Sequence, residues 1–532
     1  MSDVAVFAVR RLREAGARAI FGVPGGGGNL DLVEAAGGSG LPFVLTATET
    51  GSALAAMAQA EITGRPGACL TTLGPGAASV VNGVACASLD RAPLVVFTDS
   101  HPVGARAAFA HQRLDHRALL APVTKWSGRL EPGRARRVME AAFAQVLTVP
   151  PGPVHVDCPA DVTTLEDEAT GERPVVADAM VMSPVPPLPF EAVVSRARKP
   201  VLLVGLGARQ PADADAVRRL CEQAQVPAMV TYKAKGVLPD DHPSFAGVFI
   251  NGALERALVE ESDAIVGIGL DPVELLPRPW TYRQPIVSIG RWRAPADHVP
   301  WAAQWVTEVP TAAAALGGLW GRSAWDLDRV TAMRRAQWQA VDFPAPGLTP
   351  QRVVTVTARM LAATSRVTID AGAHMFPATL GWPVRRPNDL LISNGLSTMG
   401  FALPAAIGAA LLDRTRPVVA LTGDGGLLMC AGELATAARE QVKVMTVVFS
   451  DASLSLIALK QQARRLRPAG LALGPIGWRA LGESLGVASF AATTEDELAR
   501  AVSQAAAADG PTLIEAAVDR STYGPLMKVL RG

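Results

Sequence analysis

The stretch VVALTGDGGLLMCAGELATAAREQVKVMTVVFSDAS, at Val418–Ser453, decides the fold of the last third of the chain. Its apolar run VVALT ends in Gly423-Asp424-Gly425-Gly426, and the run VMTVVF ends in Ser450-Asp451. A helix is predicted between the two runs, over roughly Met429–Glu440. Short apolar runs joined by one helix favour neighbouring parallel strands with a right-handed crossover. We therefore expect Asp424 and Asp451 to lie about 5 Å apart, at the carboxyl ends of two strands.

Two acidic residues at this place predict a ligand site. Open α/β sheets bind their ligands at the carboxyl ends of the strands. Mg²⁺ prefers carboxylate, phosphate and water oxygens, and the N–H groups of glycines can approach a phosphate closely. The pair therefore favours a site for a Mg²⁺-bound diphosphate. The alternative is that Gly-Asp-Gly is only a turn and that Asp451 only caps a helix.

Similar apolar runs recur along the 532 residues of the chain, at Leu94–Thr98, Val201–Val204, Ala264–Ile268, Val418–Thr422 and Val444–Phe449. Ala-rich helical stretches separate them, which is typical of parallel sheets with helices on both faces. Two proline-rich segments, residues 165–189 and Phe343–Pro350, are predicted to be linkers. The predicted fold is α/β, with three doubly wound parallel-sheet domains at residues 1–165, 190–342 and 350–532.

Composition excludes several function classes. Against 49 Asp and Glu residues the chain has 50 Lys and Arg residues, so its net charge of +1 lacks the positive field of a nucleic-acid or anionic-membrane binder. The N-terminus has no signal-peptide pattern, and the apolar stretch at Phe401–Leu412 is too short to span a bilayer. Five isolated cysteines favour buried thiols in a reducing compartment. These features predict a cytoplasmic protein that binds neither nucleic acid nor membrane.

Several separate motifs, in order, resemble those of the thiamine diphosphate-dependent enzymes, in particular the acetolactate synthase-like group. The motifs are FGVPGGGGNLDL at Phe21–Leu32, TLGPGAASVVNGVA at Thr72–Ala85, LDRAPLVVFT at Leu89–Thr98, GPVHVDCPADV at Gly152–Val162, SNGLSTMGFALPAAIGAAL at Ser393–Leu411, and the Gly-Asp-Gly stretch. The resemblance covers almost the whole chain. It implies that the three domains are pyrimidine-binding, central and diphosphate-binding, in that order.

The resemblance implies a metal and diphosphate site in the last domain. The side chains of Asp424 and Asp451 and the carbonyl of Ser453 would bind Mg²⁺. Gly425 and Gly426 would face the diphosphate of the cofactor.

Three further residues match the cofactor site of the family. His374 falls where the family has a residue beside the diphosphate. Ser397 would offer its carbonyl to the aminopyrimidine, and Met399 matches the bulky side chain that keeps the cofactor bent. The alternatives are a structural histidine and ordinary core packing of the methionine. The chain departs from the family at Ser450, where Asn is usual.

Glu49, in VLTATETGSALAAMAQAE at Val44–Glu61, resembles the catalytic glutamate of the family. No Lys or Arg occurs between Arg18 and Arg65, so no sequence neighbour offers Glu49 a salt bridge. Hydrogen-bonded to the pyrimidine ring, this carboxyl would favour the imino form, which removes the C2 proton of the cofactor. The alternative is a first-turn glutamate that the helix dipole favours.

The chain departs from the family near Glu49 as well. Ala47-Thr48 stands where Arg-His is common, and the turn at Pro24–Gly28 offers glycines but no acid. The remaining candidates for active-site contacts are His111 and Gln112, in a stretch that resembles the family's loop with an active-site Gln. The alternative is that both are solvated surface residues. The scarcity of proton donors favours carboligation over simple decarboxylation.

The segment KPVLLVGLGARQPADADAVRRL, at Lys199–Leu220, resembles the central domain, which carries FAD in some members of the family. Gly205 and Gly207 follow a predicted strand, but Gln210 stands where a dinucleotide fingerprint has its third glycine. Since Gly269–Trp280 does not resemble the flavin-contacting segment either, FAD is not expected. A nicotinamide-dependent oxidoreductase built around the two glycines is an alternative from another class.

The predicted activity is thiamine diphosphate- and Mg²⁺-dependent decarboxylation of a 2-oxoacid with carboligation of the acetolactate synthase type. Three alternatives stay open: a simple 2-oxoacid decarboxylase, a lyase that cleaves 2-hydroxyacyl compounds or their CoA thioesters, and a non-catalytic paralogue. The resemblance also implies a homodimer or homotetramer, because in this family Glu49 of one subunit would reach the cofactor of another.

Overall fold

The computed structural model of the chain describes residues 3–105, 109–167, 181–296 and 298–531. Three parallel sheets of six strands each organise these residues. The prediction of an α/β fold with three doubly wound parallel sheets is confirmed. The domain limits at 1–165, 190–342 and 350–532 stay predictions, and residues 168–180 of the first predicted linker lie outside the described residues.

The first sheet has the strand order β2-β1-β3-β4-β6-β5. Its strands are β1 (Ile20–Val23), β2 (Phe43–Leu45), β3 (Gly67–Thr71), β4 (Leu94–Ser100), β5 (Trp126–Arg129) and β6 (Val154–Pro159). The helices are α1 (Val4–Ala15), α2 (Gly28–Ser39), α3 (Glu49–Thr63), α4 (Pro75–Ser79), α5 (Val81–Leu89), α6 (His116–Leu120) and α7 (Ala135–Val146). Strand β4 is buried along its whole length, as expected for a central strand covered on both faces.

The second sheet has the order β12-β11-β10-β7-β8-β9, which is the order of many dinucleotide-binding sheets. Its strands are β7 (Pro200–Val204), β8 (Ala228–Val230), β9 (Phe245–Val248), β10 (Ala264–Ile268), β11 (Ile286–Gly290) and β12 (Trp301–Val306). The helices are α8 (Leu188–Val194), α9 (Pro211–Ala224), α10 (Arg256–Glu261), α11 (Val309–Trp320) and α12 (Leu327–Gln339).

The turn after β7 packs closely against the loop after β10, while Leu206 and Gly207 of the same turn line a cavity of about 490 Å³. A Cβ atom added to Gly205 would lie 2.5 Å from the Cα of Leu270 and 2.6 Å from Oε2 of Glu274. The backbone N–H of Leu206 donates to the same carboxyl at 2.8 Å. The glycine after β7 therefore allows close packing between these two loops.

The third sheet has the order β14-β13-β15-β16-β18-β17, which repeats the order of the first sheet. Its strands are β13 (Arg366–Ile369), β14 (Leu390–Ile392), β15 (Val418–Gly423), β16 (Val444–Ser450), β17 (Ala488–Ala492) and β18 (Thr512–Ala517). The helices are α13 (Pro350–Leu361), α14 (Met375–Gly381), α15 (Ala402–Leu412), α16 (Asp424–Cys430), α17 (Glu433–Arg439), α18 (Ser455–Ala463), α19 (Trp478–Ser484), α20 (Glu495–Ala506) and α21 (Tyr523–Arg531).

The single helix predicted over Met429–Glu440 is two helices, α16 and α17, and the first begins earlier than the sequence predicts. It starts at Asp424 and not near Met429, and Gly423 is its N-cap residue. The low helix propensity of Gly425 and Gly426 suggested a turn. Tight packing of the helix start overrides that propensity, because a Cβ atom on Gly426 would lie 2.6 Å from the Asp370 carboxyl.

A buried ion cluster joins the three sheets. The Lys233 ammonium donates to the carboxyls of Glu61 and of Asp90, the latter at 3.1 Å, and to the carbonyl of Ile392 at 3.0 Å. The side chains of all three ionic residues are at most 1% exposed. Asp90 also accepts the N–H of Gly395 at 2.8 Å. The cluster therefore anchors the turn that follows β14.

The five cysteines are buried, in agreement with the sequence-based prediction. Burial raises the pKa of the Cys69 thiol to about 12. The apolar stretch at Phe401–Leu412 forms α15 inside the core. Across the described residues, no helix combines the length and the apolar character that crossing a bilayer requires.

Candidate active site

A cavity of about 520 Å³ lies at the carboxyl ends of the third sheet. The strand order changes direction there, between β13 and β15, which is where ligands bind to open α/β sheets. Eight of the predicted cofactor residues line the cavity: His374, Ser397, Met399, Asp424, Gly425, Gly426, Asp451 and Ser453. The fold thus brings together residues from four separate loops.

The two acidic residues meet because β15 and β16 pair in parallel, with Gly423 opposite Phe449. The N–H of Asp451 donates to Oδ2 of Asp424 at 3.1 Å, and the N–H of Ser453 donates to Oδ1 of Asp451 at 3.0 Å. Burial and the neighbouring Asp424 charge raise the pKa of Asp451 to about 6. Each carboxylate oxygen keeps a second lone pair that can bind a cation.

A metal ion at this place would need further ligands in addition to the side chains of Asp424 and Asp451. In the described parts of the chain, no group of three or more His, Cys, Asp or Glu side chains could hold a metal ion. Backbone carbonyls, phosphate oxygens and water would complete the shell around Asp424 and Asp451. Such a mixed oxygen shell is the one that Mg²⁺ takes in phosphate sites.

His374 lines this cavity, and one nitrogen of its ring is buried without a hydrogen-bond partner. The residue is 3% exposed, and its Nε2 has no hydrogen-bond partner. The ring stacks on Phe449 with the centroids 5.2 Å apart. Burial lowers the pKa of the imidazole to about 3, so the ring is neutral near pH 7. Because an unpartnered buried nitrogen is costly, this atom indicates a ligand contact.

The glycines at the start of α16 leave room that a side chain would fill. A Cβ atom on Gly425 would lie 2.7 Å from Cδ2 of Leu454 and 3.2 Å from Cε of Met399. Met399 is half-buried, and Ser397 is exposed with a φ of +53°, a left-handed conformation that few non-glycine residues adopt. Glycine at position 425 therefore lets the side chains of Leu454 and Met399 pack close to the backbone at the helix start.

Sequence reasoning missed Asp370, a fully buried carboxylate next to the cavity. It follows β13 directly and accepts the N–H of Gly400 at 3.1 Å and the hydroxyl of Thr422 at 2.9 Å. Burial raises its pKa to about 6. The same rule that selects Asp424 and Asp451, an acid at a strand's carboxyl end, could have found it.

The predicted residues of the first third lie elsewhere: Glu49, His111 and Gln112 are not among the described residues that line this cavity. Glu49 is half-buried at the start of α3, and a Cβ atom on Gly76 would lie 3.2 Å from its Oε1. Gln112 packs its backbone on Gly74, and His111 is exposed. Glu49 and Gln112 therefore flank one glycine turn of the first third.

A buried histidine that the sequence did not single out holds this turn. The N–H of Gly74 donates to Nε2 of His116 at 3.1 Å, and Nδ1 of His116 lies 2.9 Å from Oδ1 of Asp157. Since Nε2 accepts a hydrogen bond, the ring proton is on Nδ1 and points to the carboxylate. His116 thus fixes the turn beside Glu49.

Comparison with known proteins agrees with this architecture. Residues 3–119, 191–308 and 370–516 match the N-terminal TPP binding domain, the central domain and the C-terminal TPP binding domain of thiamine pyrophosphate enzymes. The acetolactate synthase isozyme 1 large subunit of Escherichia coli is 30% identical, over 86% of this chain and 83% of that protein. The chain belongs to the thiamine pyrophosphate enzymes.

This thiamine pyrophosphate enzyme falls in the acetolactate synthase-like group. The acetolactate synthase of Bacillus subtilis is 29% identical over 96% of this chain and 92% of that protein. A probable 2-ketoarginine decarboxylase of Pseudomonas aeruginosa is also 29% identical, over 95% of this chain and 92% of that protein. The chain is a carboligase or a decarboxylase that depends on thiamine diphosphate, which is the same compound as thiamine pyrophosphate.

Proposed function

We propose that this enzyme uses thiamine diphosphate and Mg²⁺ to decarboxylate a 2-oxoacid, and that it transfers the product unit to a second carbonyl compound, as in carboligation of the acetolactate synthase type. The observation that carries the proposal is the cavity at which Asp424, Asp451 and His374 converge. The acetolactate synthases among the relatives support the choice of reaction.

The donors around the cavity suit the diphosphate end of the cofactor. In the proposal, the carboxylates of Asp424 and Asp451 and the carbonyl of Ser453 hold Mg²⁺, whose preferred ligands are oxygens. Gly425 and Gly426, at a helix start, face the negative phosphates, and the N–H of Gly425 itself donates to Oδ1 of Asp424 at 2.8 Å and orients that carboxylate. Nε2 of His374 gains its missing partner in the same contact.

The remaining predicted residues orient the rings of the cofactor. When bound, thiamine diphosphate supplies the electron sink for decarboxylation. The Ser397 carbonyl accepts from the aminopyrimidine, and the Met399 side chain supports the bend between the two rings. The Glu49 carboxyl shares a proton with the pyrimidine nitrogen. His111 and Gln112 contact the substrate from the glycine turn.

We propose a homodimer as the smallest active form, with a homotetramer as the larger option. Glu49 is absent from the lining of the cavity in its own chain, so a second copy would bring it to the cofactor. Leu428 and Met429, just after the cavity glycines, are 44% and 61% exposed. Apolar surface at such a place favours a covering partner.

The environment of the imidazoles supports carboligation over simple decarboxylation. His116 and His155 are buried and hydrogen-bonded through both ring nitrogens, and Nε2 of His101 donates to the carbonyl of His111. These three imidazoles are thus engaged within the protein, and His111 is the imidazole that the proposal places at the substrate. A short supply of proton donors favours capture by a second carbonyl compound. The relative described as a 2-ketoarginine decarboxylase keeps decarboxylation as the second candidate. The proposal requires no FAD.

An activity panel tests the proposal. The holoenzyme is incubated with 2-oxoacids, alone and with an aldehyde or a second 2-oxoacid as acceptor, and with a 2-hydroxyacyl-CoA. The proposal expects CO₂ release that the acceptor accelerates, together with a hydroxyketone or acetohydroxyacid product. Acceptor-independent CO₂ release would support the decarboxylase, and cleavage of the CoA thioester alone would refute both.

The Glu49→Gln variant tests the role of the carboxyl. We expect turnover to fall by about a hundredfold or more, since general acid–base groups contribute 10²–10⁴-fold, while cofactor affinity is largely retained. Glu34→Gln, at an exposed glutamate of α2, is the matched control and should keep the wild-type rate. Wild-type rates in Glu49→Gln would contradict the assigned role.

A further inference from the structure

The N-terminus of α3, where Glu49 stands, is held by a carboxylate from the last third of the chain. Oε2 of Glu433 accepts the N–H of Ala47 at 3.2 Å. Oε1 accepts the N–H of Thr48 at 3.1 Å and the Thr48 hydroxyl at 3.3 Å. Glu433 is 0% exposed, so water does not compete for these hydrogen bonds.

Small residues allow this close contact. A Cβ atom on Gly51 would overlap the Glu433 carboxyl, and one on Gly432 would lie 3.0 Å from Cβ of Ala47. The Thr48 hydroxyl also accepts the N–H of Gly51 at 3.0 Å and caps α3. The start of α3 and the start of α17 therefore fit each other at Ala47, Thr48 and Gly51.

These contacts fix the backbone on both sides of Glu49. A helix start carries partial positive charge, which favours a carboxylate close to it. Since Ala47, Thr48 and Gly51 are all held, the Cα–Cβ direction of Glu49 is set before any ligand binds. A long side chain reaches a ring nitrogen within hydrogen-bond distance only from a well-defined backbone position.

We propose that Glu433 is a positioning residue for Glu49, which it holds in place through the backbone of Ala47 and Thr48. The inference rests on the proposed function, in which the Glu49 carboxyl contacts the pyrimidine ring. Glu433 itself touches neither cofactor nor substrate. It acts from the opposite end of the sequence, because Thr48 and Glu433 are separated by 385 positions.

The Glu433→Gln variant keeps the volume of the side chain but sets an NH₂ group against a backbone N–H. In the apo protein, amide hydrogen exchange of residues 46–52 should become about tenfold faster, as loss of a hydrogen bond to a charged group implies. In the loaded protein, exchange of the C2 hydrogen of the cofactor for deuterium should slow by about tenfold. Cofactor affinity, measured by calorimetry, should stay within about threefold, because the diphosphate site is untouched.

Glu255→Gln is the matched control. Glu255 is also buried, at 1% exposure, and accepts the N–H groups of Ile250 and Gly252 at 3.0 and 2.7 Å. It should lower thermal stability as much as Glu433→Gln and leave amide exchange at residues 46–52 and C2 exchange unchanged. If Glu433→Gln does not fold, Thr48→Val, which removes one contact to Glu433, should slow C2 exchange in the same direction.

A double variant separates positioning from a general structural effect. In the Glu49→Gln background, Glu433→Gln should slow C2 exchange no further, because its effect passes through Glu49. Equal slowing in both backgrounds, or wild-type C2 exchange in Glu433→Gln, would overturn the inference. Normal C2 exchange in Glu49→Gln alone would instead refute the proposed function, so the two failures are distinguishable.

Discussion

Replacing Lys233 by Met should destabilise the protein through the ion cluster that joins its three sheets. The substitution removes the cation that Glu61 and Asp90 share, while both carboxyls stay buried. Arg209 still pairs with Glu61 at 3.1 Å, so Asp90 bears most of the loss. The methionine replaces the lysine stem with little change in volume, so the effect isolates the charge.

The expected loss follows from the cost of an uncompensated buried charge. Removing one partner of a buried ion pair costs about 3–5 kcal/mol. At about 2.1 cal/mol/K per residue, 532 residues that unfold together have an unfolding entropy of about 1.1 kcal/mol/K. The melting temperature of Lys233→Met should therefore fall by roughly 3–5 °C.

The loss of stability in Lys233→Met should also depend on pH. Burial raises the pKa of the Asp90 carboxyl in the wild type, and loss of the ammonium raises it further. A carboxyl whose pKa is higher in the folded than in the unfolded state loses stability as the pH rises between the two values. The deficit of Lys233→Met should thus be largest at alkaline pH and should shrink as the pH falls toward 5.

Differential scanning fluorimetry at several pH values measures both effects, and Lys235→Met is the control. Lys235 is equally buried but pairs with Asp240 at 2.9 Å, away from the turn after β14. Both variants should lose thermal stability. Only Lys233→Met should also weaken thiamine diphosphate binding, because Asp90 holds Gly395. A Lys233→Met protein with wild-type melting temperature at pH 8 would refute the reasoning.

Three further predictions concern the cavity and its surroundings. Gly425→Ala should weaken cofactor binding about tenfold or more, because the methyl group would lie 2.7 Å from Leu454 and 3.2 Å from Met399; calorimetry measures this affinity. Burial raises the pKa of Glu274 from 4.5 to about 8, so wild-type stability should fall as the pH rises through that interval. Glu274→Gln lacks this loss, and its melting temperature should rise relative to the wild type between pH 5 and 8. Asp424→Ala should abolish the Mg²⁺ dependence of cofactor binding, which titration with and without EDTA would show.

Two of these predictions, for Gly425→Ala and Asp424→Ala, have a control variant on the chain. Gly38→Ala, where no atom lies within 4 Å of the added Cβ, should leave cofactor affinity unchanged. Asp413→Ala removes an exposed acid and should keep the response to Mg²⁺. Unchanged affinity in Gly425→Ala or in Asp424→Ala would contradict the assigned diphosphate site. A pH-independent difference between Glu274→Gln and the wild type would show that the carboxyl is ionised throughout.

The strands were predictable because each is fixed by a local pattern. All five apolar runs quoted from the sequence are strands, and Ala264–Ile268 has the predicted limits. A parallel strand covered on both faces needs a continuous apolar run, and such a run is visible in any short window. The order of strands in a sheet depends on contacts between distant segments. The shared order of the first and third sheets therefore had to come from the structure.

In the candidate site, too, some contacts could be predicted from the sequence and others could not. Asp424 and Asp451 could be predicted to meet, since both follow strands joined by one crossover. Glu433 could not be connected with the start of α3. Nothing in a helical glutamate indicates that it binds Thr48, which lies 385 positions away in the sequence. Lys233 carries no local signal either, since a lysine in a short loop is ordinarily solvated and only the fold buries it.

The chain has Ala47-Thr48 where Arg-His is common in the family. The contacts between Glu433 and the start of α3 give these two residues a structural role. A Cβ atom at position 432 would lie 3.0 Å from Cβ of Ala47, so the glycine there lets α17 begin beside the exposed Ala47. Thr48 caps α3 and bonds to Glu433, two contacts that need a hydroxyl at this position. The two residues therefore belong to a matched arrangement that holds the start of the helix and leaves the Glu49 carboxyl in place. Such an arrangement places Glu49 at a well-defined helix start, as the proposed contact of its carboxyl with a ring nitrogen requires.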